Sequence, residues 1–578
     1  MAISNQLSIR FNFNEINNAY DFYIISTSDK YISGGAYLLD KPIDSLKAES
    51  VVFDNGRSVF LMFKKGVSNR IDLVNQLIDE KLTIKQVSSE NIKDYILFRL
   101  FLYSLSNFES DDNKFNNVSG KLYITRPKWM SKNKKTFKCL NINVDDKLCL
   151  TAEATTFTQT SLFTNKKILN EYPKYTFSNK NGALKRTFDS DSETYIRRSL
   201  FGKKAEISYL DFSKSNIENN KVFFIYKTIR MVSERFLDLL TVKFKEITVT
   251  KTIGKYIDDD FVNKSINLLK GRTLNLVNWS NSDEFIDEFN AISTLVKSKN
   301  VFKVVESKTI NKNALNLVYL HNKEYYEQMK YNDPYKKFVS SAVIQHITIE
   351  DCADKLVDDN EAIINTIFKE FAIKLDIAEQ SKISLDDWSL FNYSERMIFG
   401  REKNNIHYFM IINPEGSFEF KRKANDLRSF GDKALDKCSR FLTDNLGKDK
   451  SIIVSENNAI VISRTGSFTL PSEKIFSLET ISRSNESRKA YFDGVVDVNL
   501  YDNLECFYNA GIKGSGMNTL IPKAPILYKV ECIEGHNFID KIIESLAVPF
   551  VKYKNFTVLP YPFKYLNEYI ETCEKTVD

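Results

Sequence analysis

The chain has 578 residues, 43% of them hydrophobic and 27% charged, which is ordinary for a soluble globular protein of several domains. Its 81 basic and 75 acidic residues leave a net charge of +6, too little over this length to indicate a polyanionic partner by charge alone. Seven scattered cysteines predict neither a disulfide framework nor a zinc knuckle, and with no signal peptide or membrane span we expect a cytoplasmic protein without a membrane partner.

Residues 1–113 are predicted to form an α+β domain. Apolar and polar residues alternate over 7–13 and 58–63, as in strands, whereas 71–106 has helical spacing that includes Leu82. Residues 114–250 form a basic region with strands at 121–125 and 136–144. A long amphipathic helix is predicted over 222–244 within it, because apolar residues recur at intervals of three or four.

Residues 251–312 have a weaker pattern and are interpreted as a second linker with helical pieces. After it, strand, helix, strand and helix follow in order over 313–388, which is typical of a small Rossmann-like unit. The strands of that unit are predicted at 315–320 and 342–347, and its last helix around 363–375. From 389 to 578 short strands alternate with helical segments, which predicts an α/β C-terminal domain.

Positive charge is densest between residues 114 and 144, where eight Lys or Arg residues occur without an acidic residue. Cations neutralise phosphates, and Trp129 and Phe137 could stack on bases. The alternative is a solvated turn between two strands. The candidate backbone-contacting and stacking residues are Arg126, Lys128, Trp129, Lys132, Lys134, Lys135 and Lys138. A second basic group, 197–198 with 203–204, is less specific.

Polar residues of the Rossmann-like unit should converge on one edge of its sheet. Lysines there would bind a terminal phosphate, an amide would fix its geometry, and a tyrosine ring would stack on the first base. Polar surface residues are the alternative interpretation. The candidates are Tyr331, Tyr335, Lys336, Lys337, Gln345 and Lys374.

This set resembles the MID-domain pocket of Argonaute proteins, which holds the 5′ phosphate of a guide strand. Gln345 and Lys374 match that pattern best. The first helix matches less well, because two tyrosines and two lysines compete for its positions and the spacing from Lys337 to Gln345 is short. The resemblance also leaves room for a magnesium ion at the 5′ phosphate.

The runs 511–525 and 559–567 are similar to the closing strand, loop and terminal helix of an Argonaute PIWI domain. Active members hold two divalent metals on an RNase H-like fold with three Asp and one Glu, or with a His in the last position. At the matching positions this chain has Arg401, Thr465 and Asn567. The resemblance therefore implies a catalytically inactive domain without a metal site and without a cofactor for catalysis. Lys513 and Lys523 beside the glycine-rich loop are further candidates for backbone contact, a tight turn being the alternative.

The resemblance implies an α/β multidomain, Argonaute-like fold. Its parts would be an N-terminal domain (1–113), a basic linker or reduced PAZ-like region (114–250), a second linker (251–312), a MID-like domain (313–388) and a PIWI-like domain (389–578). It implies guide-dependent recognition in bacterial defence against plasmids or other foreign DNA. A short guide DNA or RNA would pair with target DNA without cutting and recruit a helicase-nuclease effector.

Two alternatives remain at this point. The chain could be a metal-dependent nuclease that uses displaced carboxylates such as Glu402 or Asp497. It could instead be a protein scaffold that binds no nucleic acid. The four histidines show no metal-ligand spacing, and no NTPase, zinc-protease or hydrolase motif occurs.

Overall fold

The computed structural model describes residues 2–27, 29, 39–67, 82–108, 113–163, 172–188, 193–199, 206–211, 217–247, 251–252, 258–280, 285–329, 331, 334, 342–349, 360–384, 388, 394–424, 429–444, 450–477, 498–502, 505–508, 524, 526–535, 542 and 559–575. Two compact units make up the chain. The first unit is 1–247, 466–495 and 516–524, and the second unit is 248–465, 496–515 and 525–578. Both contain sheets and helices, so the predicted α/β multidomain class is confirmed. No helix of the described part is long and apolar enough to cross a membrane.

The N-terminal part of the first unit is built on an antiparallel sheet of order β3-β4-β2-β5. Its elements are β1 (Ala2–Phe11), α1 (Phe13–Ala19), β2 (Tyr20–Thr27), α2 (Asp40–Asp44), β3 (Ser50–Asp54), β4 (Ser58–Lys64), β5 (Leu82–Val87) and α3 (Asp94–Tyr103). The helical prediction for Leu82 was wrong, because the alternating run that it begins pairs with β2 as an edge strand. α3 is helical as expected and buried along most of its length.

A second antiparallel sheet follows in the first unit, with strand order β11-β10-β12-β9-β8-β7-β6. Its strands are β6 (Lys114–Val118), β7 (Lys121–Thr125), β8 (Thr136–Val144), β9 (Leu150–Gln159), β10 (Lys174–Phe177), β11 (Leu184–Thr187) and β12 (Tyr195–Ile196). One face carries a buried aromatic cluster. In it the Phe137 ring stacks on Phe157 at 4.9 Å between centroids and on Phe177 at 4.3 Å.

The long helix predicted over 222–244 is shorter in the structure. Helix α4 (Lys221–Arg235) ends with Phe236 as its C-cap, and β13 (Leu240–Ile247) then pairs antiparallel with β1. Alternating burial from Leu240 to Ile247 marks this stretch as a strand with one buried face. The helical prediction is therefore confirmed up to Arg235 and wrong for Leu240 and Phe244, because pairing with β1 decides the conformation there.

The second unit contains a parallel sheet of order β16-β15-β17-β18. Its elements are α5 (Asp258–Leu269), β15 (Thr273–Asn278), α6 (Ile286–Ser298), β16 (Lys303–Ser307), β17 (Leu315–Leu320), α7 (Lys323–Met329), β18 (Val343–Thr348) and α8 (Asn360–Leu375), preceded by the short β14 (Lys251–Thr252). Every residue of β17 is buried, as expected for a parallel strand covered on both faces. β15 and β16 lie within 251–312, the range interpreted as a linker. They belong to the parallel sheet, because their apolar residues share one core with β17.

The remaining strands of the second unit form a sheet of order β14-β24-β25-β26-β23-β22-β19-β20-β21. Its elements are β19 (Met397–Lys403), β20 (Ile406–Ile412), β21 (Phe418–Ala424), α9 (Lys433–Asp444), β22 (Lys450–Val454), β23 (Ala459–Leu470), β24 (Val498–Asp502), β25 (Glu505–Tyr508), β26 (Ile526–Glu534) and α10 (Pro562–Lys575). β23 belongs to the first unit from Gly466 onward.

Helices α9 and α10 cover opposite faces of this sheet. Ile398 belongs to the core that contains α9, and the next residue, Phe399, to the core that contains α10. Gly400 lets α9 approach β19 closely, because a Cβ there would lie 2.7 Å from the Cys438 Sγ. Arg401 follows Gly400 on β19, and β19 lies between β20 and β22 in the sheet.

Candidate nucleic-acid interface

The structure brings together two residues of the predicted phosphate pocket, Gln345 on β18 and Lys374 in the last turn of α8. The Lys374 ammonium donates to the Gln345 Oε1 at 2.7 Å and to the Ile344 carbonyl at 2.6 Å. Helix α8 places the lysine there because its apolar face packs on the parallel sheet. The ammonium and the amide side chain are the two donors that a terminal phosphate would need.

Carboxylates on neighbouring helices also approach this pair. The Glu568 Oε2 on α10 lies 3.8 Å from the Lys374 Nζ. Lys564, one turn earlier on α10, lies 3.2 Å from the Glu568 Oε1 and 3.0 Å from the Glu370 Oε1. Burial acts to lower the pKa of Lys564, but the two carboxylates outweigh it and raise that pKa above its ordinary value. Glu568 is not among the residues predicted from the sequence, although a Lys and a Glu four residues apart on one helix are a visible signal.

Of the other four members of the predicted pocket, the structure describes one, Tyr331. Tyr331 follows α7 and is exposed, with its ring 6.3 Å from that of Tyr325. Tyr335, Lys336 and Lys337 lie outside the described residues. The structure therefore assembles Gln345 and Lys374 directly and presents Tyr331 to solvent.

Two of the three positions matched to PIWI metal ligands meet in the second unit. The Arg401 Nη1 on β19 donates to the Asn567 Oδ1 on α10 at 2.6 Å. The third residue, Thr465 on β23, donates its hydroxyl to the Leu527 carbonyl on β26 at 2.6 Å. A guanidinium, an amide and a hydroxyl supply no negative charge, so these three side chains do not fit a pair of divalent cations.

The displaced carboxylates that could serve a nuclease are only partly described. Glu402 is paired in register with His407 on β20, and Asp497 lies outside the described residues. The His407 Nδ1 is 2.9 Å from the Ser439 Oγ, and burial lowers the pKa of this histidine. Among the described residues, no three His, Cys, Asp or Glu side chains are grouped so that they could hold a metal ion.

The basic cluster of the first unit divides into buried and exposed residues. Arg126 is only 3% exposed, and its guanidinium donates to the Asn219 Oδ1 and to the Glu218 carbonyl. The Trp129 ring packs edge-on against Phe224, and Phe137 is buried in the aromatic core. The exposed members are Lys128, Lys132, Lys134, Lys135 and Lys138.

Three of these lysines occupy a turn of defined shape between Trp129 and β8. Lys134 adopts a positive φ of 57° and donates its amide to the Ser131 carbonyl at 2.9 Å. The Ser131 hydroxyl accepts from the Thr136 amide at 3.0 Å, which closes the turn. We call residues 131–136, with Lys132, Lys134 and Lys135, the basic turn. It presents cations at fixed backbone positions, as phosphate contacts require. Lys513 and Lys523 lie outside the described residues.

Comparisons with known proteins give structural likenesses only. No family model matches the chain, and no curated protein matches it. A solved structure of Kluyveromyces polysporus Argonaute with a guide RNA matches 99% of this chain and 94% of its own, with 11% identity and a TM-score of 0.45. Marinitoga piezophila Argonaute, in complex with 5′ OH guide RNA and target DNA, matches 97% and 98% with 12% identity and a TM-score of 0.40. Drosophila Piwi matches 99% and 96% with 11% identity and a TM-score of 0.34.

Proposed function

We propose that the protein binds the 5′-phosphorylated end of a short guide strand, of DNA or RNA, and uses the guide to select a complementary DNA target. The contact between Lys374 and Gln345 carries this proposal. The sequence predicts both residues as phosphate ligands, and the second unit brings them into direct contact. Sequence specificity would come from base pairing, with the protein contacting mainly the backbone.

The target remains uncut in this proposal. The supporting observation is the Arg401–Asn567 hydrogen bond, which joins a cation and a neutral amide at positions matched to metal-binding carboxylates. A two-metal mechanism needs anionic ligands to hold the ions that activate water and stabilise the leaving oxygen. The protein would therefore recognise nucleic acid without hydrolysing it.

Destruction of the target would then fall to a separate helicase-nuclease that the complex recruits. We propose that the chain has the role of the DdmE component of the bacterial DdmDE plasmid-defence system, which it resembles in overall length and in its residues at the catalytic positions. We extend the proposal to that role, the defence of a bacterial cell against plasmids or other foreign DNA.

The pocket is tested by changing Lys374→Glu together with Gln345→Ala and measuring the affinity for a synthetic 5′-phosphorylated guide. We expect guide retention to be abolished, because the change replaces a cation with an anion beside a dianionic phosphate. Lys303→Glu is the matched control, since Lys303 is exposed on β16, the opposite edge strand of the same parallel sheet. Unchanged guide affinity in the double variant, with the fold intact by circular dichroism, would refute the assignment.

A further inference from the structure

A cavity of about 500 Å³ lies in the first unit beside the seven-stranded sheet. None of its lining residues belongs to the basic turn or to the pair Gln345 and Lys374. The cavity is open to solvent and is lined by strand β9, the segment after β12 and the first residue of α4. Its lining residues are Glu153, Ala154, Thr155, Thr156, Arg197, Arg198, Ser199 and Lys221.

Two adjacent arginines enter this cavity from one fixed segment. The Arg197 Nη1 donates to the Tyr123 hydroxyl at 3.3 Å, at the margin of the aromatic core. The Arg198 guanidinium lies 5.6 Å from the centre of the Tyr172 ring. The Arg198 backbone is held as well, because its carbonyl accepts from the Thr158 hydroxyl at 2.5 Å and its amide donates to the Ile196 carbonyl at 2.9 Å. The backbone segment that carries both arginines is therefore fixed before any ligand arrives.

The charges that line the cavity are unequal. Arg197, Arg198 and Lys221 supply three cations, and Glu153, which is exposed, supplies one carboxylate. Burial lowers the pKa of Lys221, although Glu153 and Glu206 act against this change. Burial and the charge of Arg197 lower the pKa of Lys121, which also interacts with Glu153, to about 8. Crowded, partly desolvated cations are stabilised by an anion that enters among them.

We propose that this cavity binds a phosphate dianion, either free phosphate or the phosphate group of a nucleoside monophosphate. Arginines suit phosphate because the guanidinium fork can donate two parallel hydrogen bonds to its oxygens. Thr155, Thr156 and Ser199 also line the cavity, and a hydroxyl directed into it would supply a further donor. A volume of about 500 Å³ is within the range of small-ligand pockets and holds a phosphate together with a nucleoside.

The test is calorimetric titration of the full chain with inorganic phosphate, with deoxyadenosine 5′-monophosphate and with deoxyadenosine. Every protein in the series carries Lys374→Met, so that the other phosphate pocket does not contribute. We expect both phosphates to bind and the nucleoside not to bind. Tighter binding of the nucleotide would identify the nucleotide as the occupant, and equal or tighter binding of inorganic phosphate would identify the free ion.

The cavity variant is Arg198→Gln with Lys221→Gln, which leaves the Arg197–Tyr123 contact in place. We expect its phosphate affinity to fall by at least about tenfold, because two charge-assisted contacts are lost. The matched control, Lys41→Gln with Lys85→Gln, removes the same charge from exposed positions in the N-terminal part of the same unit. Equal losses in both variants, or no binding of either phosphate to the parent protein, would overturn the proposal. Because no guide strand is used, such a failure would leave the proposed function untouched.

Discussion

Lys374 is held in place by oxygen atoms from three residues, the Ile344 carbonyl, the Gln345 amide and, at 3.8 Å, the Glu568 carboxylate. A guide phosphate that approaches the ammonium would share it with Glu568. The Glu568 carboxylate would therefore compete with the phosphate for the Lys374 ammonium, and its removal should strengthen phosphate binding.

Glu568→Gln should raise the affinity for a 5′-phosphorylated guide about fivefold, because opposite charges about 4 Å apart interact by about 1 kcal/mol in a water-like environment. The measurement is a filter-binding or fluorescence titration at low salt. Glu571→Gln is the control, since Glu571 is exposed on the same helix α10. A lower guide affinity in Glu568→Gln, with no change in the control, would mean that Glu568 supports the pocket instead of competing in it.

Asp40 is a buried carboxyl that makes stability depend on pH. It accepts from the Ser119 hydroxyl at 2.7 Å and from the Arg186 Nε at 3.2 Å, yet burial outweighs both and raises its pKa to about 6. Between its ordinary value of 3.8 and about 6, the folded state keeps a proton that the unfolded state has released. This group therefore lowers stability as pH rises through that window.

Asp40→Asn should remove this dependence. The difference in unfolding free energy between about pH 4 and about pH 7 should shift by on the order of 1 kcal/mol relative to the parent protein, in the direction of greater relative stability at neutral pH. Parallel denaturant titrations of the two proteins at both pH values give the measurement. The same pH dependence in both proteins would show that folding does not raise the pKa of Asp40.

At the level of elements, the basic turn carries three of the five exposed lysines of the basic cluster found in the sequence. Changing Lys132, Lys134 and Lys135 together to Glu should weaken binding to single-stranded DNA without unfolding the protein. The slope of log affinity against log salt should fall by about two to three, because each lost phosphate contact removes about 0.7 to 0.9. Lys41, Lys47 and Lys85, exposed in the N-terminal part of the first unit, changed together to Glu form the control. If the salt slope fell equally in the control, the weaker DNA binding would result from the change in net charge and not from lost contacts at the basic turn.

Elements were predictable where one local pattern dominates. The apolar run Leu315–Leu320 forms a buried strand with the predicted bounds, because a parallel strand covered on both faces is apolar throughout. Helix α4 was predicted to be longer than it is. Leu240 and Phe244 continue its apolar spacing, but their conformation depends on pairing with β1. That partner lies near the start of the chain, so local periodicity does not reveal it.

Individual site residues follow the same rule. Gln345 and Lys374 could be found from a strand and a helix close in sequence, whereas Glu568 reaches Lys374 only through the packing of α10 near α8. The exposed lysines of the basic turn were identified from charge alone. The burial of Arg126 was not, because its acceptors at Glu218 and Asn219 lie about ninety residues later in the chain.

At the scale of the whole molecule, the chain is not a row of contiguous domains. Residues 466–495 and 516–524 belong to the first unit, although both segments are flanked by sequence of the second. Within the first unit, Ile3 on β1 pairs with Leu470 at the end of β23. Composition along a sequence marks where local character changes, but it carries no signal for a chain that returns to an earlier unit.

At this scale, we propose that the protein is a guided and catalytically silent binder of nucleic acid. The most direct measurement is to purify the chain, extract and end-label any nucleic acid that accompanies it before and after phosphatase treatment, and then incubate the guide-loaded protein with complementary DNA and magnesium or manganese. The account predicts short 5′-phosphorylated strands and a bound target that stays intact. Metal-dependent cleavage that is lost with Glu402→Gln would establish a nuclease instead, and a protein that carries no strand and refuses synthetic guides would contradict guided recognition altogether.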